Sequence, residues 1–190
     1  MDRIIHDDCI YENQVYRENI LEPGDYENCI FRNCDFTEAD LSGINFEGCE
    51  FHECNMSLSI LMQTTISEVK FIKCKLLGLH FEDCNRLIIS FSLDSCSLEL
   101  CSFNKLKLKK SVFKNSRITE ADFTETDLSS SIIKNCDLDR SVFRMTNLEN
   151  ADLRGSYNFS VDPDLNRIRR ARFSAATLAG LMGKYDIIVD

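Results

Sequence analysis

Phe31-Arg32-Asn33-Cys34-Asp35-Phe36-Thr37-Glu38-Ala39-Asp40-Leu41-Ser42-Gly43 carries its large apolar residues at Phe31, Phe36 and Leu41, a spacing of five. A helix repeats near 3.6 and a strand at 2, so neither element explains the stretch. The same spacing extends outward in both directions. Every fifth residue from Tyr11 to Phe81 is apolar; after a slip of two residues the series resumes at Ile88 and runs to Leu153. That makes 15 plus 14 positions without a polar interruption. At the 44% apolar content of this chain, chance would produce such a run with a probability of order 10⁻¹⁰. Ten of the thirteen phenylalanines lie on this lattice.

A second lattice runs two residues ahead of the first and holds mostly small residues, among them Cys29, Cys34, Ala39, Ser59, Thr64, Ala121 and Thr126. All ten cysteines fall on it. Two inward positions followed by three outward ones describe a chain that turns a corner after each short segment. One segment buries too little to stand alone, so the coils must stack as in other solenoids. Residues twenty apart then lie one strand spacing, ~4.8 Å, apart. Cys9, Cys29 and Cys49 form one expected ladder, and Cys34, Cys54 and Cys74 another. The slip near residues 82–88 reads as a bulge or bend.

Length and composition fit that reading. The chain has 190 residues and enough apolar content for one core, with two prolines and seven glycines. Its start, Met1-Asp2-Arg3-Ile4-Ile5-His6-Asp7-Asp8, has no apolar run of signal-peptide type, and no stretch reaches ~18 apolar residues. The expectation is a cytoplasmic protein with reduced thiols that does not enter a membrane. The cysteines read as small buried hydrophobes, interchangeable with Ala, Ser and Thr, rather than as metal ligands or disulfides. His6, His52 and His80 occupy unrelated lattice sites, and there is no Gly-rich phosphate loop. No enzyme, cofactor or metal is expected.

The net charge of −9 opposes direct nucleic-acid binding, yet it is uneven. Residues 1–60 carry 14 acids and 3 bases, a net of −11; residues 61–115 carry 5 and 9, a net of +4. Residues 116–155 carry −3 and residues 156–190 carry +1. The acidic part offers a candidate partner-binding surface at Glu27, Asp35, Glu38, Asp40, Glu47, Glu50 and Glu53; a solvated face that keeps a solenoid soluble explains such acids equally well.

The units Cys34-Asp35-Phe36-Thr37-Glu38, Ala39-Asp40-Leu41-Ser42-Gly43, Ala121-Asp122-Phe123-Thr124-Glu125 and Ala151-Asp152-Leu153-Arg154-Gly155 resemble the pentapeptide-repeat family, whose motif is small–Asp/Asn–Leu/Phe–x–x. The resemblance implies an all-β fold, a right-handed quadrilateral parallel β-helix with four pentapeptides per coil. The expected organisation is a β-helix over residues 1–156 and a tail over 157–190. That tail comprises a loop, a last partial coil, a short helix from an N-cap at Ser174 through Met182 with Gly183 as its stop, and a terminal strand from Tyr185 to Val189. Leu178, Leu181, Met182, Tyr185, Ile187, Ile188 and Val189 are the candidate dimer interface, unless the helix simply folds over the last coil.

Phe31 to Gly43, Phe46-Glu47-Gly48-Cys49-Glu50-Phe51 and the tail Leu178-Ala179-Gly180-Leu181-Met182-Gly183-Lys184-Tyr185-Asp186-Ile187-Ile188-Val189 are similar to the quinolone-resistance (Qnr-like) branch of that family. In that branch the tail makes an end-to-end homodimer. The acidic rod mimics DNA and binds DNA gyrase or topoisomerase IV, protecting it from quinolones or toxins or inhibiting it. The resemblance therefore implies a non-catalytic antibiotic-resistance protein with a type II topoisomerase as partner. A structural or protein-interaction solenoid with an unrelated partner is the alternative.

Overall fold

The computed structural model describes residues 3–17, 20–185 and 187. Its strands are short, parallel and in register with the coil before. Ile4 pairs with Gly24, Asp25 with Asn45 and Asn45 with Thr65 on one side; Ile10 pairs with Ile30, Ile30 with Glu50 and Glu50 with Lys70 on the next. The constant offset of twenty makes a four-sided parallel β-helix. Its faces are numbered here from residues 24–28 (face one), 29–33 (face two), 34–38 (face three) and 39–43 (face four).

Each corner has a local cause. Among the described residues, 24 non-glycine residues and four glycines have positive φ, and all but Asn158 stand at the last position of a pentapeptide. This left-handed turn costs a non-glycine residue ~1–2 kcal/mol. Bonds to the next coil hold it: the Asn28 N–H reaches the Glu47 carbonyl at 2.8 Å, and the Glu38 N–H reaches that of Ser57 at 2.9 Å. The motif aspartate adds a second clamp. Asp35, Asp40, Asp122, Asp127, Asp137 and Asp152 each accept the backbone N–H two residues on, at 2.8–3.2 Å. These six acids are turn-formers.

Aromatic rings fill the axis. Tyr11, Phe31, Phe51 and Phe71 stack on face two with centroids 4.8, 4.8 and 5.3 Å apart. Phe81, Phe103, Phe123 and Phe143 stack on face four at 5.0, 4.9 and 5.0 Å. Most of the second lattice is also buried, and five large apolar members, Ile44, Val69, Leu79, Phe91 and Leu106, are at most 5% exposed. Its hydroxyls and thiols have a repeated job that composition does not reveal. Many donate to the carbonyl 23 residues earlier, or 25 across the insertion: Ser59 to Phe36, Thr64 to Leu41, Cys54 to Phe31, Cys96 to Phe71. The cysteines are free, and all but half-buried Cys9 are buried.

The slip is a real insertion. The strand Thr65–Ile72 pairs with Ile89–Asp94 through a register shift, so that the offset becomes 22, as in Lys70 opposite Ser92. Offsets of twenty then resume, with Ser92 opposite Val112 and Val112 opposite Ile132. Here the lattice is corrected at one residue. Ile88 is 51% exposed, and its neighbour Ile89 packs against the core, because the extra residues displace the inward phase by one before it is restored at Leu93.

At the C-terminal end, coil stacking continues past residue 156, with Asn147 opposite Arg167 and Asp152 opposite Arg172. A 3₁₀ helix, Ala175–Leu181, folds over it, and the Val161 N–H donates to the Gly180 carbonyl at 2.9 Å. Three local expectations are corrected. The Ser174 side chain does not cap this helix; it accepts the Gly155 N–H at 2.9 Å instead. Gly183 opens a second 3₁₀ turn, Gly183–Tyr185, rather than stopping the helix. Tyr185 therefore belongs to a turn and not to a terminal strand, and Ile187 has no regular structure. Ile188 and Val189 lie outside the described residues.

Candidate interaction surface

The register distributes the seven candidate acids over all four faces. Glu27 and Glu47 are on face one, Glu50 and Glu53 on face two, Asp35 and Glu38 on face three, and Asp40 on face four. Several are already engaged. Glu50 accepts from Lys70 at 2.9 Å and meets His52 at 2.8 Å; Lys70 is the larger cause holding the Glu50 carboxyl below its usual range. Glu53 pairs with Lys73 at 3.0 Å and Glu38 with Arg17 at 2.9 Å. Asp35 and Asp40 are held low by the turns they close, through Thr37 and Ser42.

One set is left. Asp7, Glu27 and Glu47 stand in register on face one, each a coil above the last. Among the described residues none of the three has a cationic partner. Three like charges stacked at ~4.8 Å repel one another, and the side-chain contact recorded on them is a long hydrogen bond from the Asn28 amide to Asp7 at 3.4 Å. Asp7 escaped the composition-based reading; the twenty-residue spacing Asp7, Glu27, Glu47 is the signal that finds it.

The lysines of the middle stand mainly on faces one and two, among them Lys70, Lys73, Lys107, Lys109, Lys110 and Lys114. On the opposite side an apolar strip is exposed: Leu58, Ile60 and Met62 point outward in succession, with Leu77 and Leu100 on the following coils, each at 36–54% exposure. Leu58 and Leu100 hold left-handed corners (φ +60° and +58°), a conformation that disfavours leucine. Burial pushes the thiols of Cys49, Cys84 and Cys101 up to about 12, which suits these three poorly to nucleophilic chemistry. Among the described residues no three His, Cys, Asp or Glu side chains converge to hold a metal, and no helix is long and apolar enough to cross a membrane.

In the tail, Leu178, Met182, Tyr185 and Ile187 are exposed and Leu181 packs against the core. Lys184 ties this end down through Asp162 at 2.8 Å and through Asp164.

Family comparison agrees with this architecture. A pentapeptide repeat region profile matches residues 25–93, and a profile of eight pentapeptide repeats matches residues 96–135 and 121–157. These matches span more than half of the chain, which belongs to the pentapeptide-repeat family. No curated protein matches it. Among solved structures, a trypsin-treated form of QnrB1, a plasmid-mediated fluoroquinolone resistance protein, is 21% identical with a TM-score of 0.65 over 97% of this chain and 99% of that one. Full-length QnrB1 is 19% identical, with a TM-score of 0.61 over 97% and 100%. HetL, a protein involved in heterocyst differentiation regulation in the cyanobacterium Nostoc sp. strain PCC 7120, is 14% identical, with a TM-score of 0.50 over 90% and 88%. These likenesses concern the fold.

Proposed function

We propose that this chain is a non-catalytic, DNA-mimicking rod that binds DNA gyrase or topoisomerase IV and modulates it or protects it from quinolones or toxins. The observation that carries this reading is the unpaired acidic column Asp7, Glu27 and Glu47 on a rod whose first 60 residues hold a net −11. A row of fixed negative charges on a stiff, narrow body competes for a groove that binds a phosphate backbone, and it does so through long-range attraction. The fold shared with QnrB1 supports the choice of enzyme. Asp35 and Asp40, held in place by the turns they close, add to the field, while Glu38, Glu50 and Glu53 are balanced by Arg17, Lys70 and Lys73.

In this proposal residues 1–156 are the binding body, residues 157–190 the tail, and the protein works in the cytoplasm as a homodimer. Exposed Leu178, Met182, Tyr185 and Ile187 support the dimer, with Leu181, Ile188 and Val189 completing the interface; Leu181→Asp then yields monomers in light scattering. A gyrase supercoiling assay with and without a fluoroquinolone tests the function. A change in supercoiling or in drug sensitivity at micromolar protein is expected, and no change overturns it.

The exposed strip Leu58, Ile60 and Met62 favours a second reading, a solenoid that docks an unrelated protein. A partner whose binding is lost in Ile60→Asp and unaffected by Glu47→Lys decides for it.

A further inference from the structure

Counting charge by face, rather than by segment, divides the C-terminal half across its width. On faces one and two, residues 106–114, 126–134, 146–154 and 166–172 hold ten bases and three acids, a net of +7. On faces three and four, residues 96–105, 116–125, 136–145 and 156–164 hold eight acids and four bases, a net of −4. Four of the ten bases are neutralised at home: Lys109 by Asp127, Lys134 and Arg154 by Asp152, and Arg167 by Glu149. Among the described residues the other six, Lys107, Lys110, Lys114, Arg169, Arg170 and Arg172, have no acidic partner. The whole-chain charge of −9 therefore does not describe this side. Opposite sheets lie ~10 Å apart, about one screening length at physiological salt, so an anion here responds mainly to the near face.

The same side has a notch. At the corner between faces one and two, Glu68 and Lys110 turn through the left-handed region (φ +55° and +61°), and Ser90 between them does not. The strand Ile89–Asp94 runs straight past the corner, and the Glu68 N–H donates to the Ser90 hydroxyl at 2.8 Å. The recess left between the neighbouring coils is about 250 Å³ in volume. Val112 and the small exposed edges of Val69 and Phe91 supply its apolar surface, and Glu68, Lys70, Lys109 and Lys110 stand on its rim.

We propose that faces one and two of the C-terminal half bind single-stranded nucleic acid. Successive coils repeat every ~4.8 Å, so the free cations form a sparse grid, with Lys107, Lys110 and Lys114 on one coil and Arg169, Arg170 and Arg172 three coils, ~14 Å, further along, and a phosphate backbone laid along the axis is neutralised at both groups without regard to sequence. The apolar recess bordered by lysines takes one unstacked base, which a duplex keeps inside its stack. An acidic polypeptide matches the grid but has no planar group for the recess. Binding here requires neither a topoisomerase nor a dimer.

The test is fluorescence anisotropy of a fluorescein-labelled single-stranded 20-mer of deoxythymidine with the full chain. Micromolar binding is expected at low salt. Four phosphate contacts at about −0.7 each give a log–log salt slope near −3, so raising salt from about 50 to about 200 mM weakens binding roughly 50-fold. Lys110→Glu and, independently, Arg170→Glu each weaken it by about tenfold or more, whereas Arg144→Glu on face four leaves it unchanged. The proposal is overturned by an absence of binding at low salt, by equal affinity for a duplex 20-mer, by equally effective competition from polyglutamate, or by an Arg144→Glu effect as large as that of Lys110→Glu.

Discussion

Thr126 donates its hydroxyl hydrogen to the carbonyl oxygen of Phe103, one coil earlier, at 2.8 Å. Thr146 does the same to Phe123, and Ser156 to Ile133. At these positions the small inward residue is a rivet between coils as well as a space-saver. Thr126→Val keeps the volume and removes the donor, and should cost ~1 kcal/mol in urea denaturation. Thr126→Ser, which keeps the donor, should cost less.

Phe123 sits between Phe103 and Phe143 with centroids 4.9 and 5.0 Å away, fully buried. Phe123→Ala opens a cavity in the axial stack that rigid neighbouring coils cannot close. A loss of ~3–5 kcal/mol is expected from the urea midpoint, and Phe46→Ala should behave alike.

Corners are sensitive to residue type in a definable direction. Leu100 holds φ +58° while 54% exposed, so Leu100→Asn should raise stability by ~0.5–1 kcal/mol, asparagine tolerating the left-handed region better. Gly155 is the opposite case. Its φ is +82°, and a Cβ there would collide with Asn135 Oδ1. Gly155→Ala should therefore destabilise by ~1–2 kcal/mol, with part of the loss recovered when Asn135→Ala is added.

Acid should loosen the turns. The Arg154 guanidinium beside Asp152, helped by the Arg154 N–H and Lys134, holds that carboxyl well below the usual carboxylate range; Thr37 and Ser42 lower Asp35 and Asp40. A carboxyl lowered on folding contributes stability above its unfolded value near 4, and loses it as pH falls below that value. The urea midpoint should be flat with respect to these groups from about pH 6 to 5 and fall below about pH 4. Asp152→Asn should shallow that fall.

Thiol accessibility should follow the coils. Cys9 is half-buried at the first coil, and the other nine cysteines are buried. A thiol-specific disulfide reagent should modify Cys9 first in the native protein, and all ten cysteines only in denaturant.

The five-residue period made the fold legible because one buried side chain per unit is a strict steric demand. Phe31, Phe36 and Leu41 already contain it. The slip was visible as a change of phase, but the choice between Ile88 and Ile89 was not, since both are isoleucine and only the bulge decides which turns inward. The motif aspartates read as negative charge although most are consumed in turns. Membership of one face depends on the twenty-residue register, which is why the acids of residues 27–53 looked like one surface and are four. It is also why Asp7 joins Glu27 and Glu47 only at a spacing of twenty, and why Arg169, Arg170 and Arg172 vanish into a tail of net +1 when charge is summed by segment. The end of the chain was hardest, because Ser174 and Gly183 are common at helix ends and only the Gly155 N–H that Ser174 accepts and the second 3₁₀ turn that Gly183 opens assign them other roles.

The central functional claim is that the acidic column engages a type II topoisomerase. Gyrase supercoiling measured across a fluoroquinolone titration, with the full chain and with Glu27→Lys plus Glu47→Lys, tests it most directly. The proposal predicts that micromolar protein shifts supercoiling or its drug dependence and that the double charge reversal abolishes the shift while the protein stays folded. An unchanged titration, or an equal shift from the charge-reversed protein, would contradict it.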